Sequence, residues 1–367
     1  MLKKNSVDKT LFFTIILLVV CGIVIYLSAS LGLLAKDGQA YFSKILNQVV
    51  LGFIGGGIIC YINSKIPYKF WRNYSFWFFL FSILVTLAIY IPGVGLVFNG
   101  ARRWIVIGPL TFQPSELLKI AYIIYIAAWL SVAKENIKSF KYGTLPFVII
   151  SLIAGGILFL QPDNDTAIIM LLSGGAMYFA AGANFKHIFF VIVAGILALT
   201  IVCFNNSYVR DRLQTFIHPA DNPLTSGYQV QQSLIAIGSG GLLGRGFGQS
   251  VQKFNFLPEP IGDSIFAVVG EEFGFIGSII LIILFVTLLF RSVKISILSK
   301  ETFGGLLILG LGILIVSQSF LNMASMLGIF PLAGLPLLFV SHGGTALFFT
   351  LFASGIMLNI SRFKQIN

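Results

Sequence analysis

The chain has 367 residues, of which 57% are hydrophobic and 10% are charged, and its mean hydropathy is +0.94. This composition excludes a soluble globular protein. The continuous apolar runs 11–28 and 279–290 exclude a membrane β-barrel, whose strands alternate apolar and polar residues. The formal net charge is +11, but the basic residues are scattered over many short segments, so no nucleic-acid partner is expected.

Ten apolar runs are predicted to cross the membrane as helices, because about 20 apolar residues match the hydrocarbon thickness. They lie near 11–30, 45–63, 73–91, 116–133, 144–160, 166–183, 187–204, 265–290, 304–327 and 335–360. The predicted fold is an all-α polytopic membrane protein with about ten transmembrane helices, forming a single domain over 1–367. An even number of spans puts both termini on one side. The segments on that side carry 15 Lys and Arg against 8 on the other, which predicts that both termini are cytoplasmic.

Two of the predicted extracytoplasmic segments are long, 92–115 and the large loop at roughly 205–264 between spans seven and eight. Long loops in a compact fold are usually functional or disordered. Tyr228–Ile237 has an amphipathic helical pattern, and we expect short helices at the outer surface. The glycine-rich stretch Gly238–Gly248 lacks the Gly-Lys-Ser/Thr ending of a nucleotide loop. Tight turns and close backbone packing are the favoured interpretation of it, and phosphate binding by backbone amides is the alternative.

Three carboxylates, Asp263, Glu271 and Glu272, fall within ten positions at the start of the eighth predicted span. Only 13 acidic residues occur in the whole chain, and charge near hydrocarbon is costly. Asp263 is therefore the strongest catalytic candidate. At 1.5 Å per residue, Glu271 lies about 12 Å further along the helix. We interpret Glu271 and Glu272 as partners of buried cations.

The first outer segment and the turn after span five hold further candidates. Arg102 and Arg103 are either interfacial anchors or ligands of a phosphate group, since guanidinium matches phosphate with two parallel hydrogen bonds. Glu116 and Lys119 share a helix face and form either a neutralised pair or part of a site. Asp163 either caps span six or faces the same site. Residues alone leave two functions open, a membrane enzyme acting on a phosphate-bearing lipid or a transporter.

Several segments together carry a resemblance that no single one would. They are Gly100–Trp104, Phe112–Glu116 with Lys119, Gln161–Asp163, Arg210–Phe216, Ser226–Gln229, Gln232–Gly244, Phe256–Glu259 with Asp263, Phe266–Gly274, Pro331–Pro336 and Ser341–Thr345. In this order they resemble the SEDS family (shape, elongation, division and sporulation) over nearly the whole chain. Gln252–Phe254, Gly270–Glu272 and Leu358–Arg362 are more similar to its division branch, FtsW-like, than to its elongation branch, RodA-like.

The resemblance implies a peptidoglycan glycosyltransferase that polymerises lipid II at the outer face of the bacterial cytoplasmic membrane, at the division septum. It implies a class B penicillin-binding transpeptidase and other division proteins as partners, besides membrane lipids. A RodA-type elongation polymerase and a lipid II flippase are the alternatives. No cofactor is assigned, and a divalent cation, Mg²⁺ or Mn²⁺, stays an open alternative. The implied catalytic base is Asp263, and the candidate substrate-binding residues are Arg102, Arg103, Lys119, Arg245, Glu116 and Asp163.

The chain departs from the family pattern near these residues. Pro260–Gly262 replaces the usual residues before Asp263, Asp165 adds a charge to the turn after span five, and His342 stands where the family has Tyr. Small residues in spans eight and nine, including Gly310 and Gly312, are expected to give a close-packing face for a single-span partner.

Overall fold

A computed structural model describes residues 6–36, 38–98, 101–108, 110–205, 207–217 and 226–363. Its α-helices are numbered in chain order. They are α1 Lys9–Lys36, α2 Gly38–Leu46, α3 Gly56–Lys65, α4 Lys69–Leu87, α5 Pro114–Ala133, α6 Leu145–Leu160, α7 Asn164–Ala180, α8 Phe185–Asn205, α9 Ser207–Ile217, α10 Ser226–Gly240, α11 Gln252–Asn255, α12 Ile265–Ile297, α13 Thr302–Met326 and α14 Gly344–Ile360. A π-helical segment, Asn47–Gly55, joins α2 to α3.

Within the described ranges, eight helical segments are long and apolar enough to cross a membrane. They are Lys9–Lys36, Tyr41–Lys65, Lys69–Tyr90, Pro114–Ala133, Phe140–Leu160, Ile265–Ile297, Thr302–Met326 and Gly344–Phe363. The 17-residue α7 and the partly apolar α8 coincide with the sixth and seventh predicted spans. The polytopic helical fold is confirmed, whereas the count of ten spans stays a prediction.

The described ends of the chain lie together at one end of the helix bundle. The backbone amide of Asp8, just before α1, donates to Ser361 Oγ at 3.1 Å, just after α14. The Asp8 carboxylate also pairs with Arg291 near the end of α12. This arrangement agrees with an even number of spans. That this end faces the cytoplasm is still predicted from the distribution of charge alone.

Helix α14 is the most enclosed of the eight candidate spans, and polar side chains fasten it to its neighbours. Asn63 Nδ2 donates to the carbonyl oxygen of Phe352 at 3.1 Å, and Asn359 Nδ2 donates to that of Ser64 at 2.9 Å. Gly355 lets the backbone of α3 approach, since a Cβ there would collide with the carbonyl oxygen of Cys60. Small residues and interhelical hydrogen bonds replace the hydrophobic effect as the source of cohesion between helices in lipid.

The first outer segment contains a small sheet that the all-α expectation omitted. Strands β1 Gly95–Phe98, β2 Ala101–Ile107 and β3 Leu110–Phe112 pair antiparallel in chain order. Leu96 lies opposite Trp104 in this sheet. The sheet leads directly into α5, which begins at Pro114 as the Gln113–Glu116 pattern predicts, with an acidic residue in the first turn.

Helix α12 is broken at Gly274, where φ is +65° and ψ is −162°. The glycine-rich segment pairs with the backbone groups that this break releases. Arg245 N donates to Glu271 O at 2.9 Å and Gly246 N to Glu272 O at 3.0 Å, while Phe275 N donates to Gly241 O at 2.9 Å. A break inside an apolar helix is tolerated when other groups satisfy its backbone in this way. The close-packing interpretation of Gly238–Gly248 is therefore confirmed.

Two sequence expectations about spans nine and ten are wrong. A Cβ at Gly310 would collide with Met177 Sδ, and one at Gly312 would lie 2.6 Å from Ser292 Cβ, so both glycines serve internal packing rather than a partner's docking face. The predicted tenth span starts at 335, whereas α14 begins at Gly344. Residues 327–343 are not helical, because Pro and Gly interrupt the helix there.

Candidate active site

Asp263 lies in the turn that precedes α12, and three separate elements hold this turn. Asn322 Nδ2, on α13, donates to the carbonyl oxygen of Asp263 at 2.7 Å. Gln229 Nε2, on α10, donates to Ser264 Oγ at 2.9 Å. Ser341 Oγ, in the segment before α14, donates to the carbonyl oxygen of Gly262 at 2.8 Å. The backbone of Asp263 is therefore fixed from three sides, which favours a precisely positioned carboxylate.

The same turn carries backbone strain at Glu259, which has a φ of +44°. A left-handed conformation is uncommon for residues other than glycine and costs roughly 1–3 kcal/mol when the surrounding structure imposes it. The carbonyl oxygen of Glu259 accepts hydrogen bonds from Gly262 N at 2.9 Å and Ser264 N at 3.3 Å. These bonds close the turn tightly around Asp263. The departure at Pro260–Gly262 is thus accommodated inside a closed turn.

Burial is the main cause that raises the pKa of Asp263 to about 7, and the carboxylate of Glu259 raises it further. The guanidinium of Arg212 lowers this pKa, the carboxylate of Asp165 raises it, and Arg103 lowers it. A general base works best when its pKa lies near the operating pH, because it is then both ionised and basic. The environment of Asp263 meets that condition.

Asp165 and Arg212 form an ion pair beside Asp263. Arg212 Nη1, on α9, lies 2.7 Å from Asp165 Oδ2, in the first turn of α7. The backbone amide of Gly334 donates to the same Oδ2 at 3.0 Å. A Cβ added to Gly334 would lie 3.2 Å from Arg212 Nη2, 3.8 Å from Asp263 Oδ2 and 3.9 Å from Asp165 Oδ2. One arginine and two carboxylates therefore converge on a single point.

The sequence assigned no role to Arg212, although it lies in the family-like segment Arg210–Phe216. The placement of Arg212 depends on α9, the first turn of α7 and the loop at Gly334 meeting in space, which no local pattern shows. A signal was nonetheless present. Asp165 adds a carboxylate to a turn that already holds Asp163, and a carboxylate in an enclosed position usually has a cationic partner.

Of the two arginines predicted in the first outer segment, the structure brings Arg103 toward Asp263. Arg103 is half-buried, its Nε donates to the carbonyl oxygen of Gln161 at 3.4 Å, and its Nη2 donates to that of Pro162. Arg102 is exposed and, as its neighbour on β2, projects from the opposite face of the strand.

Glu116 and Lys119 lie deeper, enclosed between α5 and α13. Lys119 Nζ donates to Glu116 Oε1 at 2.9 Å and to Gln318 Oε1 at 2.7 Å. Gln318 Nε2 in turn donates to the carbonyl oxygen of Pro336 at 3.2 Å, which connects the pair to the loop at the site. The buried pair of Glu116 and Lys119 needs such additional partners, because two charges are costly to desolvate.

Asp163 stands just before α7, where Gln113 Nε2 donates to its Oδ2 at 3.4 Å.

Arg245 belongs to a second charged cluster about two helical turns from Asp263. Its Nε lies 3.6 Å from Glu271 Oε1, and its side chain is 41% exposed. Next to it, Lys253 Nζ lies 2.6 Å from Glu272 Oε1, with both side chains fully buried. The interpretation of Glu271 and Glu272 as partners of cations agrees with these contacts. The structure does not bring Arg245 to Asp263.

The described residues offer limited means to hold a metal ion. Over that part of the chain, no group of three or more His, Cys, Asp and Glu side chains could enclose one. Mg²⁺ is commonly held by one or two carboxylates together with substrate phosphates. Asp263 and Asp165 are carboxylates near the site that could contribute in that manner. The divalent-cation alternative thus depends on ligands that the substrate would supply.

The fold and the site define a polytopic helical membrane protein that gathers arginines around a half-buried, weakly acidic carboxylate at one end of its bundle. A family model described as "Cell cycle protein", that of FtsW, RodA and SpoVE, matches residues 8–366. The chain therefore belongs to this family, which is the SEDS family that its motifs resemble.

Similar proteins and structures cover almost all of the chain. Stage V sporulation protein E of Bacillus subtilis (strain 168) is 36% identical over 367 residues, which cover 99% of each chain. The probable peptidoglycan glycosyltransferase FtsW of Geobacter sulfurreducens (strain DL-1 / KN400) is 37% identical over 357 residues, covering 96% of this chain and 95% of its own length.

Two solved structures share the fold. One, described as structural coordination of polymerization and crosslinking by a peptidoglycan synthase complex, has a chain with a TM-score of 0.80 and 24% identity, covering 97% of this chain and 98% of its own. The rod shape determining protein RodA of Thermus thermophilus has a TM-score of 0.71 and 24% identity, covering 99% of both chains. At this level of identity the two structures establish the fold alone.

Proposed function

We propose that this protein is a peptidoglycan glycosyltransferase that polymerises lipid II into glycan strands at the outer face of the bacterial cytoplasmic membrane. The single observation that carries the proposal is Asp263, a fixed carboxylate with a pKa of about 7 beside arginines. Relatives named peptidoglycan glycosyltransferase FtsW support the same activity. The septal role in cell division follows from those names and is part of the proposal.

The proposed reaction inverts the donor sugar. The 4-hydroxyl of the acceptor attacks C1 of a sugar that is α-linked to undecaprenyl pyrophosphate, and a β-1,4 linkage forms. Asp263 accepts the hydroxyl proton as the new C–O bond forms, while the bond from C1 to the pyrophosphate oxygen breaks. One positioned carboxylate suffices as the base. A hydrolase-type pair of carboxylates around the bond is not needed, because pyrophosphate leaves without protonation.

The leaving pyrophosphate needs positive charge nearby, since preorganised cations stabilise charge that develops in the transition state. Of the predicted arginines, we propose that Arg103 binds the pyrophosphate, because it is close enough to Asp263 to lower the pKa of that carboxylate. Arg102 lies on the opposite face of β2, and Arg245 pairs with Glu271. We propose that Glu116, Lys119 and Asp163 support the substrate-binding site from behind. Lys119 binds Gln318, which holds the loop at Pro336, and Asp163 binds Gln113.

The decisive experiment compares wild-type protein with Asp263→Asn in a polymerisation assay on purified lipid II. The carboxamide keeps the shape but cannot accept the proton, so the rate should fall by about 10²–10⁴-fold, the contribution typical of a general base. Activity within a few-fold of wild type would remove Asp263 from this role. Lipid II scrambling without polymer would support the flippase alternative. Localisation of a fluorescent fusion to midcell or to the sidewall separates the division role from a RodA-type elongation role.

The protein is an integral membrane protein, and we propose a class B penicillin-binding transpeptidase as its partner. The structurally similar chain in a peptidoglycan synthase complex supports this pairing. Lipid II is the proposed substrate, and other division proteins and membrane lipids are the remaining proposed partners. Co-purification with a candidate transpeptidase, followed by the stimulation of glycan synthesis, tests the pairing directly.

A further inference from the structure

The carboxylate of Asp165 occupies a set of donors that suits a phosphate oxygen. Its Oδ2 accepts one hydrogen bond from Arg212 Nη1 at 2.7 Å and another from the backbone amide of Gly334 at 3.0 Å. A guanidinium combined with a backbone N–H is a recurrent arrangement around phosphate, because both groups donate to a single anionic oxygen. Arg212 and the Gly334 amide therefore form an anion-binding site, and the carboxylate of Asp165 is the anion that occupies it in this structure.

The position of this donor set fits the geometry of the proposed reaction. Arg212 Nη2 and Asp263 Oδ2 both lie within 4 Å of the point where a Cβ of residue 334 would stand. Because residue 334 is a glycine, that point is not filled by a side chain. A diphosphate held by Arg212 would place the adjoining sugar carbon next to the base. The bond that breaks and the group that accepts the proton would then share one small space.

We propose that Arg212 and the Gly334 amide form the seat of the donor's diphosphate, and that Asp165 fills this seat until the donor displaces it. The inference rests on the proposed function, since it names a binding residue for the same substrate. The exchange replaces one charge-assisted hydrogen bond with another, so Asp165 competes with the substrate for Arg212. Removing its charge strengthens diphosphate binding, and removing Arg212 weakens it.

The test measures binding of inorganic pyrophosphate, and in a second arm undecaprenyl pyrophosphate and undecaprenyl phosphate, to the purified full-length protein in detergent. Asp165→Asn should lower the Kd for pyrophosphate by roughly fivefold to tenfold, as expected when a competing partner worth about one net hydrogen bond is removed. Arg212→Ala should raise the Kd by roughly tenfold. The double variant should behave as Arg212→Ala alone, because the two residues act as a unit.

Arg210→Ala is the matched control, since this exposed arginine lies two residues away on the same helix. It should change the Kd by less than about twofold. Weaker or unchanged binding by Asp165→Asn overturns the inference, and so does an equal effect of Arg210→Ala and Arg212→Ala. Asp165→Ala serves as the second variant, because it lacks the amide that could re-form the contact. Thermal unfolding identifies any variant that fails to fold.

A polymerisation assay on the same proteins separates the inference from the proposed function. If the wild type binds pyrophosphate in the expected order of variants but makes no polymer, the transferase proposal fails and the diphosphate seat stands. If it makes polymer while Asp165→Asn binds no more tightly, only the seat is refuted. Tighter binding of undecaprenyl pyrophosphate than of inorganic pyrophosphate identifies the membrane-bound donor rather than a free phosphate as the natural ligand. Tighter binding of undecaprenyl pyrophosphate than of undecaprenyl phosphate shows that the site recognises the diphosphate.

Discussion

The raised pKa of Asp263 predicts how the rate depends on pH. With a pKa of about 7, the carboxylate is half ionised at pH 7 and about one-eleventh ionised at pH 6. Only the ionised form accepts a proton, so kcat/KM should fall about fivefold from pH 7 to pH 6, nearly tenfold for each further unit below pH 6, and level off above pH 8. A rate that stays constant between pH 6 and pH 8 would refute Asp263 as the base with this pKa.

Glu259→Gln perturbs this pH profile without touching the base. The carboxylate of Glu259 is the largest charged contributor that raises the pKa of Asp263. Neutralising it makes ionisation of Asp263 easier, so the midpoint should move below 7. Because the Glu259 side chain is 59% exposed and lies 3.9 Å from Lys44, solvent and this lysine weaken the effect. The plateau rate should fall slightly, since a less basic carboxylate is a weaker proton acceptor.

Glu301→Gln provides the control, because Glu301 pairs with Lys69 and is not among the charged groups that shift the pKa of Asp263. Its midpoint should equal that of the wild type. The assay is the initial rate of glycan formation from lipid II across buffers of constant ionic strength. A midpoint of Glu259→Gln that stays at 7 or moves upward would contradict the electrostatic argument, whatever the effect on the plateau.

The raised pKa of Asp263 also means that this residue destabilises the folded protein at neutral pH. Its pKa is about 7 in the folded protein, against 3.8 for an unperturbed aspartate in the unfolded chain, so the folded protein binds the proton more tightly. The stabilisation from the protonated form is complete below pH 3.8 and is lost as the pH rises through 7. Asp263→Asn cannot ionise. It should therefore raise the Tm above that of the wild type, and by more at pH 8 than at pH 6.

Three further outcomes follow from contacts elsewhere. Lys253→Met should destabilise the protein by about 3–5 kcal/mol in thermal unfolding, because the buried carboxylate of Glu272 then lacks its cation. Adding Glu272→Gln should recover part of that loss, because it removes the uncompensated charge. Arg103→Ala should raise the KM for lipid II at least several-fold, whereas Lys138→Ala on a predicted inner loop should not change it. Gly310→Leu should lower the yield of folded protein even without any partner, because its side chain would meet Met177 inside the bundle.

The sequence predicted the long apolar helices because hydrocarbon thickness fixes their length, and the helix start at Pro114 because proline and acidic residues mark a first turn. It missed the sheet, although a signal existed. Asn99-Gly100 separates the runs that form β1 and β2, and this dipeptide is a strong hairpin indicator. The surrounding apolar composition obscured it, since alternation is hard to recognise when most residues are hydrophobic.

The site was predictable only in part, and the reason is topological. Asp263 was identifiable because three carboxylates beside a predicted span are costly. Arg212, Asp165 and Gly334 come from three separate segments, on α9, at the start of α7 and before α14. Their convergence follows from tertiary packing, which hydropathy does not encode. A resemblance to the family named the segments but could not indicate which arginine faces the base.

The break in α12 explains how one chain can hold a strained turn and a poised carboxylate at the mouth of an apolar bundle. The residues from Ile265 to Phe273 run beside α10, and the glycine-rich segment fastens their far end through backbone hydrogen bonds at Glu271 and Glu272. The fully buried Lys253 secures the other end of that segment by binding Glu272 and the carbonyl oxygen of Gly248. The helix segment that follows Asp263 is thus held at its far end, while Asn322, Gln229 and Ser341 hold the turn itself. Contacts on both sides of the turn therefore support its strained backbone and fix the position of the carboxylate.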